Sequence, residues 1–485
     1  MSIFVIFIII IFLPLILIRL LRWLAWNQQK EYRADRLWQF LLSEEGLHEL
    51  LRVLPQKTDF TRTGLKRPVL TIRAIITGFL SLVLMGYVLT VAYLFNFWWL
   101  PITAYLLVPL FPGLISFITE IFKSSLSLVM LFLAQRKVSF SKPKIIGITG
   151  SYGKTTTRHL VTHVLSKQFT VFTPIKSHNT PLSVAWAILR HYQGEEILFL
   201  EFAAYKKGEI RRLAHWFPPE LSIITGVTHQ HLALFGSLEN IIKAKGELVK
   251  ATKLTGQVFY NGSDELTHKV CEQDPSKKAV AYTGPKSVIS LTKVKLNDNG
   301  KLQFSWKNKT VQTHLSMLYA TKAIQAAIAV AEFLQVPTAK IHLGLTQFLP
   351  TENFLRVYQH QQGFTIINDS KTSNPEGFLG ALELLEYFKK QGKNTLLLTS
   401  GIIDLGNQSD EIHLKLAQAA KKITDLVLYT GIDGLHIFRE VFGPNMTNKT
   451  ENIRLTLQKL NEEDVLLIEG HIHIWLQKLL ARTYD

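Results

Sequence analysis

The chain has 485 residues and a formal net charge of +17, with 47% hydrophobic residues and one cysteine, Cys271. One cysteine excludes an internal disulfide framework, and at roughly 100–200 residues per domain the length suggests about three units. The excess of positive charge points to an anionic partner. It lies beside apolar segments and no recognition motif accompanies it, so a membrane surface is favoured and nucleic acid is not expected as a partner.

Residues 2–18 form an uncharged apolar run, followed by Arg19 and Arg22. A bilayer span needs about 17–25 such residues. No small-residue cleavage site follows, so a retained transmembrane helix is expected rather than a signal peptide. A second uncharged run covers 74–96. A third covers 99–118 and is broken by Pro101, Pro109 and Pro112. Phe97-Trp98-Trp99 between them resembles an interfacial aromatic belt. The stretch Leu126 to Leu133 is short, and three spans and four both stay open. The loop between the first two runs carries Arg33, Arg36, Arg52, Lys57, Arg62, Lys66 and Arg67. The positive-inside rule places it in the cytoplasm; it also suits anionic lipid head groups. Three spans then put the residues after Lys137 in the cytoplasm, where ATP is. The expected location is the plasma membrane, multi-pass, with catalytic domains on the cytoplasmic side.

From Pro143 the composition changes. Lys144 to Thr149 reads as a short β-branched strand, running into Gly150-Ser151-Tyr152-Gly153-Lys154-Thr155-Thr156 and a helix to Leu165. Strand, glycine loop and helix are the context of a phosphate-binding loop. Its N–H groups and the helix N-terminus attract phosphate oxygens. Lys154 suits the β/γ-phosphates and the Thr155 hydroxyl suits Mg2+. The pattern is the short form, because Ile148 stands where the longer motif has its first glycine. Residues 196–202 and 221–227 read as buried parallel strands with acidic or polar ends, where open α/β sheets place ligands. Asn297 to Gly300 marks a hairpin within 286–312, and 318–334 an alanine-rich helix. From about residue 350, strands at 364–369, 395–399, 426–429 and 465–468 alternate with helices. The expected fold is α/β: transmembrane helices (1–139), a P-loop-type α/β ATPase domain (140–349) and a Rossmann-like α/β domain (350–485). His471 and His473 fall on one face of an extended segment but lack a third metal ligand.

These motifs, in this order, resemble the Mur ligases, which build the peptide stem of peptidoglycan, and within them the MurF type, which adds D-alanyl-D-alanine. The resemblance covers residues from about 143 to 485. It rests on Gly147 to Thr157, on His178-Asn179-Thr180-Pro181, and on Glu201 followed by Gly208-Glu209-Ile210. It continues through His231-Leu232, Ala244-Lys245-Gly246-Glu247, and Asn261 with Asp264. In the last third it includes Arg356, Asn368-Asp369-Ser370-Lys371, Asn374-Pro375, Gly401, Asp404-Leu405-Gly406 and His413.

The resemblance implies ATP-dependent joining of a carboxylate to an amine through an acyl phosphate, with release of ADP and phosphate. It implies that Gly150, Gly153, Lys154, Thr155 and Thr156 hold ATP, and that Asn261, Asp264, Asp369 and Asn374 contact the nucleotide. Thr155 and Glu201 would hold Mg2+. His231 and a carbamylated Lys245 would serve a second metal. Arg356 would reach the phosphates from a hinge, and Asn179, Thr180 and Lys371 would face substrate. Plainer readings stand beside these: a strand cap for Glu201, a core histidine for His231, solvated lysines for Lys245 and Lys371.

The chain also departs from the pattern. The UDP-binding N-terminal domain is replaced by the apolar module, which makes a lipid-linked or membrane-proximal envelope precursor a physically reasonable acceptor, with an amino acid or dipeptide as the amine. Met317 to Ala323 replaces the G-x-H-N-x-x-N helix start, Gln230 replaces an acidic residue, and Glu469-Gly470-His471-Ile472 replaces Lys-Gly-Ser-Arg. A poly-γ-glutamate synthetase-like ligase and a non-catalytic nucleotide-binding membrane scaffold are the alternative readings.

Overall fold

The chain divides into two units, Met1–Val129 and Met130–Asp485. In the computed structural model the described residues are 2–480, apart from 31, 33, 43, 56–67, 175–178, 205, 229–234, 298–299, 352–353, 372–373, 403–404 and 406–407.

The first unit contains helices α1 (Ser2–Gln29), α2 (Ala34–Leu41), α3 (Glu44–Leu51), α4 (Ile72–Leu94), α5 (Leu100–Leu107) and the greater part of α6 (Leu110–Ser141). Among the described residues three helices, Ile3–Gln29, Ile72–Leu94 and Leu110–Ser141, are long and apolar enough to cross a membrane. The expected run 99–118 is not one helix. It is split between α5 and α6, with Pro101 and Pro112 in their first turns, where the missing N–H breaks no helical hydrogen bond. The stretch Leu126 to Leu133 lies within α6. Few polar groups are buried among the described residues of this unit, and two on α1 pair across to other helices. Asn27 Nδ2 on α1 donates to Pro112 O at 3.1 Å and to Ser116 Oγ at 2.7 Å. Arg22 on the same helix pairs with Glu49 of α3. An apolar helix carrying such groups turns them inward, because an unpaired polar group away from water costs several kcal/mol (~2–7).

The second unit opens on the last turns of α6, whose Leu131, Ala134 and Val138 are buried in its core. The elements that follow are β1 (Lys144–Thr149), α7 (Lys154–Leu165), β2 (Val171–Phe172), α8 (Pro181–His191), β3 (Ile197–Glu201), α9 (Glu209–Trp216), β4 (Leu221–Ile224), α10 (Leu238–Ala251), β5 (Gln257–Tyr260), α11 (Glu265–Cys271) and β6 (Ala279–Ala281). The six strands form a parallel sheet in the order β2-β3-β1-β4-β5-β6. Every residue of β3 and β4 is buried, as the unbroken apolar runs require of strands covered on both faces. An antiparallel sheet, β7 (Thr292–Leu296), β8 (Leu302–Trp306) and β9 (Lys309–Gln312), follows. Then come α12 (Ala320–Phe333) and α13 (Thr338–Thr346), both packed on α7. Alanine at buried positions 320, 323, 326, 327, 329 and 331 keeps α12 thin, so it seats closely.

The last elements are β10 (Arg356–Gln359), β11 (Thr365–Asp369), α14 (Pro375–Lys390), β12 (Asn394–Thr399), α15 (Ser409–Lys421), β13 (Leu426–Tyr429), α16 (Leu435–Phe442), β14 (Met446–Thr447), α17 (Thr450–Lys459), β15 (Asp464–Glu469) and α18 (Ile474–Leu480). Their sheet runs β10-β11-β15-β12-β13-β14, parallel except for the edge strand β10. One buried cluster joins the two large sheets, from Ile146, Val161 and Ile324 to Ile367, Leu382 and Leu397. The strand expected to carry His471 and His473 ends at Glu469. Gly470, at φ +78°, turns the chain out, and both histidines are exposed on the loop. Among the described residues no group of three metal-ligating side chains forms.

Candidate active site

In the first large sheet the chain moves from β1 outward on one side and returns to the other, so β1 is flanked by β3 and β4. Such a reversal leaves a crevice at the carboxyl ends of the strands. The segments leaving β1, β3 and β4 supply Gly150 to Thr157, Glu201 with Ala203 and Ala204, and Thr225 to one cavity of about 750 Å3. Lys245 on α10 joins them, as does Asn179. From the second large sheet come Lys371 and Asn374, on the segment after β11, and His471, after β15.

The glycine loop is held from beneath. Ser151 N donates to Gly226 O at 2.6 Å. Thr225 Oγ1 donates to Tyr152 O at 2.5 Å. A Cβ on Gly150 would collide with that hydroxyl, and one on Gly226 would fall inside the Tyr152 ring, so both positions require glycine. Gly153, at φ +76°, turns the chain into α7. Thr155 and Thr156 sit in the first turn of α7 and face the cavity. Lys154 Nζ donates to Gly150 O at 2.7 Å and Ser151 O at 3.3 Å. Burial lowers its pKa, opposed by the charge of Glu201.

Glu201 ends β3 and is buried; its Oε2 accepts no hydrogen bond among the described residues. Arg158 Nε stands 3.7 Å from that oxygen, while Arg158 Nη1 donates to Thr173 Oγ1 at 3.1 Å and Pro174 O at 2.8 Å. Lys245 is 4% exposed. Its amine is held well below its ordinary pKa, chiefly by burial and then by the charge of Lys154.

Other expected residues are placed differently. Asn261 is fully buried and accepts from Ser263 N at 3.2 Å and from Thr283. Asp264 caps α11 through Leu266 N at 2.9 Å and receives Val227 N at 2.8 Å. Neither lines the cavity; both brace the turns beneath the loop. Thr180 caps α8 in a reciprocal pair with Ser183, while its neighbour Asn179 reaches the cavity. Asn374 lines the cavity and caps α14 by accepting from Gly377 N at 2.9 Å. Lys371 is exposed at the cavity edge, Asp369 is buried behind it, and Arg356 is exposed at the start of β10, away from the lining. His231, with Gln230, His178, Asp404 and Gly406, lies outside the described residues.

Sequence reading missed Arg158, Tyr152 as an individual residue, and the burial of Glu469 beside Asp369 on adjacent strands. Arg158 follows Lys154 by four residues, one helical turn, which is the signal that marks it. Tyr152 packs on Gly226, its hydroxyl 3.5 Å from Asp264 Oδ2. Burial, then the charges of Asp264 and Glu376, push its pKa up. Removing one partner of a buried ion pair strands the other, at about 3–5 kcal/mol. The expected result for Arg158→Met is therefore a loss of this order in thermal unfolding. Arg158→Lys should recover only part, because one ammonium cannot serve Thr173, Pro174 and Glu201 together.

Residues 148–331 match the model of the Mur ligase middle domain. A relative from Bacillus subtilis, UDP-N-acetylmuramoyl-tripeptide–D-alanyl-D-alanine ligase, is 28% identical over 273 residues, 56% of this chain and 58% of the relative. The ligase of the same name from Mycobacterium leprae is 25% identical over 373 residues, 69% of this chain and 72% of the relative. The chain thus spans less than two thirds of the Bacillus relative. MurF from Thermotoga maritima in complex with ADP superposes with a TM-score of 0.65 at 22% identity, over 73% of this chain and 83% of that one. MurF from Acinetobacter baumannii gives 0.65 at 20% identity, over 73% and 79%.

Proposed function

We propose that this chain, which belongs to the Mur ligase family, is a membrane-anchored, ADP-forming amide ligase acting on an envelope precursor. The observation that carries the reading is the shared cavity. It gathers the phosphate-loop lysine, a buried carboxylate with an oxygen that accepts no hydrogen bond among the described residues, a buried lysine of depressed pKa, and side chains from a second parallel sheet. In this reading residues 140–349 form the ATP-binding domain and 350–485 the C-terminal domain. The apolar helices α1, α4 and α6 cross the plasma membrane and keep the catalytic domains on its cytoplasmic face.

The residues fit both expected ligands. Glycines that no other residue can replace leave the loop backbone open to phosphate oxygens, and Lys154 supplies a charge beside it. A hard divalent cation takes oxygen ligands, and Thr155 with the Glu201 Oε2 atom offers them; bound Mg2+ would neutralise phosphate charge. The acceptor carboxylate, a poor electrophile, is activated by transfer of the terminal phosphoryl group of ATP. An amine then displaces phosphate to give the amide. What this chain contributes is positioning and charge: Lys154 and the loop orient the phosphates, and the second sheet brings Lys371, Asn374 and His471 to the open side. A carbamate on Lys245 would carry a negative charge into a site otherwise rich in cations. His231 is assigned by resemblance to the same metal-binding role.

The test is ADP release by the detergent-solubilised full chain with nucleotide-linked and lipid-linked muropeptides, each with amino acids or with D-alanyl-D-alanine. Acceptor- and amine-dependent ADP release establishes the ligase, and the better acceptor settles the substrate class. ATP binding without turnover on any pair favours the scaffold reading.

A further inference from the structure

The second large sheet carries a buried acidic pair: Asp369, which the resemblance assigns to the nucleotide, and Glu469, to which it assigns no role. Asp369 ends β11 and Glu469 ends β15; they are register partners on adjacent parallel strands. Their relative exposures are 2% and 1%. Neither oxygen of Glu469 receives a hydrogen bond from an N–H or O–H donor among the described residues, and no described lysine or arginine pairs with it. Two ionised carboxylates so buried and so close are untenable, since like charges in low dielectric repel strongly. One must hold a proton.

We propose that Glu469 is a positioning residue: its carboxyl group keeps a proton and donates it in a hydrogen bond to the Asp369 carboxylate, tying the ends of β11 and β15 together. The two segments so tied carry Lys371, Asn374 and His471 to the cavity. Burial first, then the charge of Asp369 and the hydrogen bond between them, raise the Glu469 pKa well above the ordinary carboxyl range. The groups around the pair agree. Tyr319, at the start of α12, holds its proton because of burial, then Asp369, Glu469 and Glu383 of α14. Its ring lies where a Cβ on Gly380 would fall. Lys322, one turn along α12, faces Glu383 and Glu376 of α14 and draws their pKa values down against burial. Lys371 and His471 follow on the loops and are exposed.

The sign follows. A carboxyl whose pKa is raised by folding stabilises the fold fully below its unfolded pKa, and that stability is lost as pH rises through the folded value. Wild type should therefore lose thermal stability from mildly acid to alkaline pH. Glu469→Gln keeps a donor to Asp369 and does not titrate, so its profile should be flatter and its melting temperature at pH 9 higher than wild type. His471 and Lys371 are present in both proteins, so they do not distinguish the two profiles. The kinetic arm rests on the ligase reading; the stability arm does not, so the two fail separately. In ADP release, Glu469→Gln should stay within about twofold of wild type at neutral pH, while Glu469→Ala, which removes the tie between the two strand ends, should lose roughly tenfold in kcat/KM. Parallel stability profiles for wild type and Glu469→Gln would overturn the shared proton. Equal kcat/KM for wild type and Glu469→Ala would overturn the positioning role.

Discussion

Lys154→Ala is expected to lower acceptor-dependent ADP release by at least about 100-fold, the usual consequence of removing one preorganised charge from a phosphoryl-transfer site. The reason is local. The loop backbone offers partial charges to phosphate, and Lys154 is the lysine that stands over that backbone, within 2.7 Å of Gly150 O. Lys154→Arg keeps the charge, but a planar fork does not replace a compact ammonium on a short tether, so little activity should return. The fold should not suffer. Burial penalises Lys154 against one attraction, to Glu201, and its charge disfavours the charged form of Lys245, so its removal relieves Lys245. Activity lost at an unchanged or raised melting temperature is the expected pair of results. Activity retained within threefold would remove the loop from the chemistry.

Lys245 should show the second large effect, and it depends on dissolved carbon dioxide. Burial, then the charge of Lys154, push the Lys245 amine toward its neutral form, and a neutral amine is the form that adds to CO2, giving a carbamate and a proton. That reaction places a negative charge beside Lys154 where the amine was. Protein prepared in CO2-stripped buffer should lose about tenfold or more of its ADP release, as for the loss of one charged group in such a site, and bicarbonate should restore it. Lys245→Met should lose as much as Lys154→Ala and be indifferent to bicarbonate. Its stability should move the other way. A buried lysine whose pKa falls on folding costs stability below its unfolded pKa, because the unfolded chain binds the extra proton. Lys245→Met should thus gain on the order of 1 kcal/mol near neutral pH, the trade that functional sites commonly make. Indifference of the wild type to CO2 would leave Lys245 as a bare amine, and the second-metal role would fall with it.

Much of the organisation was legible in one dimension. Unbroken apolar runs announced β1, β3 and β4, because strands covered on both faces have no polar side to alternate. The glycine loop was legible because only glycine tolerates the turn at Gly153 and the close approaches at Gly150 and Gly226. The charge-free runs near the N-terminus were visible as candidate spans from length alone. Where proline interrupted apolar sequence, the reading stopped short: 99–118 was seen to be broken by prolines, but only packing decides that they start α5 and α6 and that Leu126 to Leu133 continues α6. His471 and His473 were read as strand for a similar reason, since alternation continues past Glu469 while the positive φ of Gly470 ends the ladder.

The sequence by itself determined the chemistry on offer: a glycine-rich loop with its lysine, a strand-end carboxylate, a lysine in a helical segment, and an apolar module ahead of two α/β halves. Those follow from side-chain type and local spacing. Tertiary structure decided which of these meet. It set Glu201 and Lys245 beside Lys154, although β3 and α10 lie far along the chain, because β1 is flanked by β3 and β4 in the sheet. It withdrew Asn261 and Asp264 from the cavity and made them braces. It gave Glu201 the buried partner Arg158 and set Asp369 against Glu469. Pairing between distant strand ends depends on sheet order and register, and neither is written in any local stretch of residues.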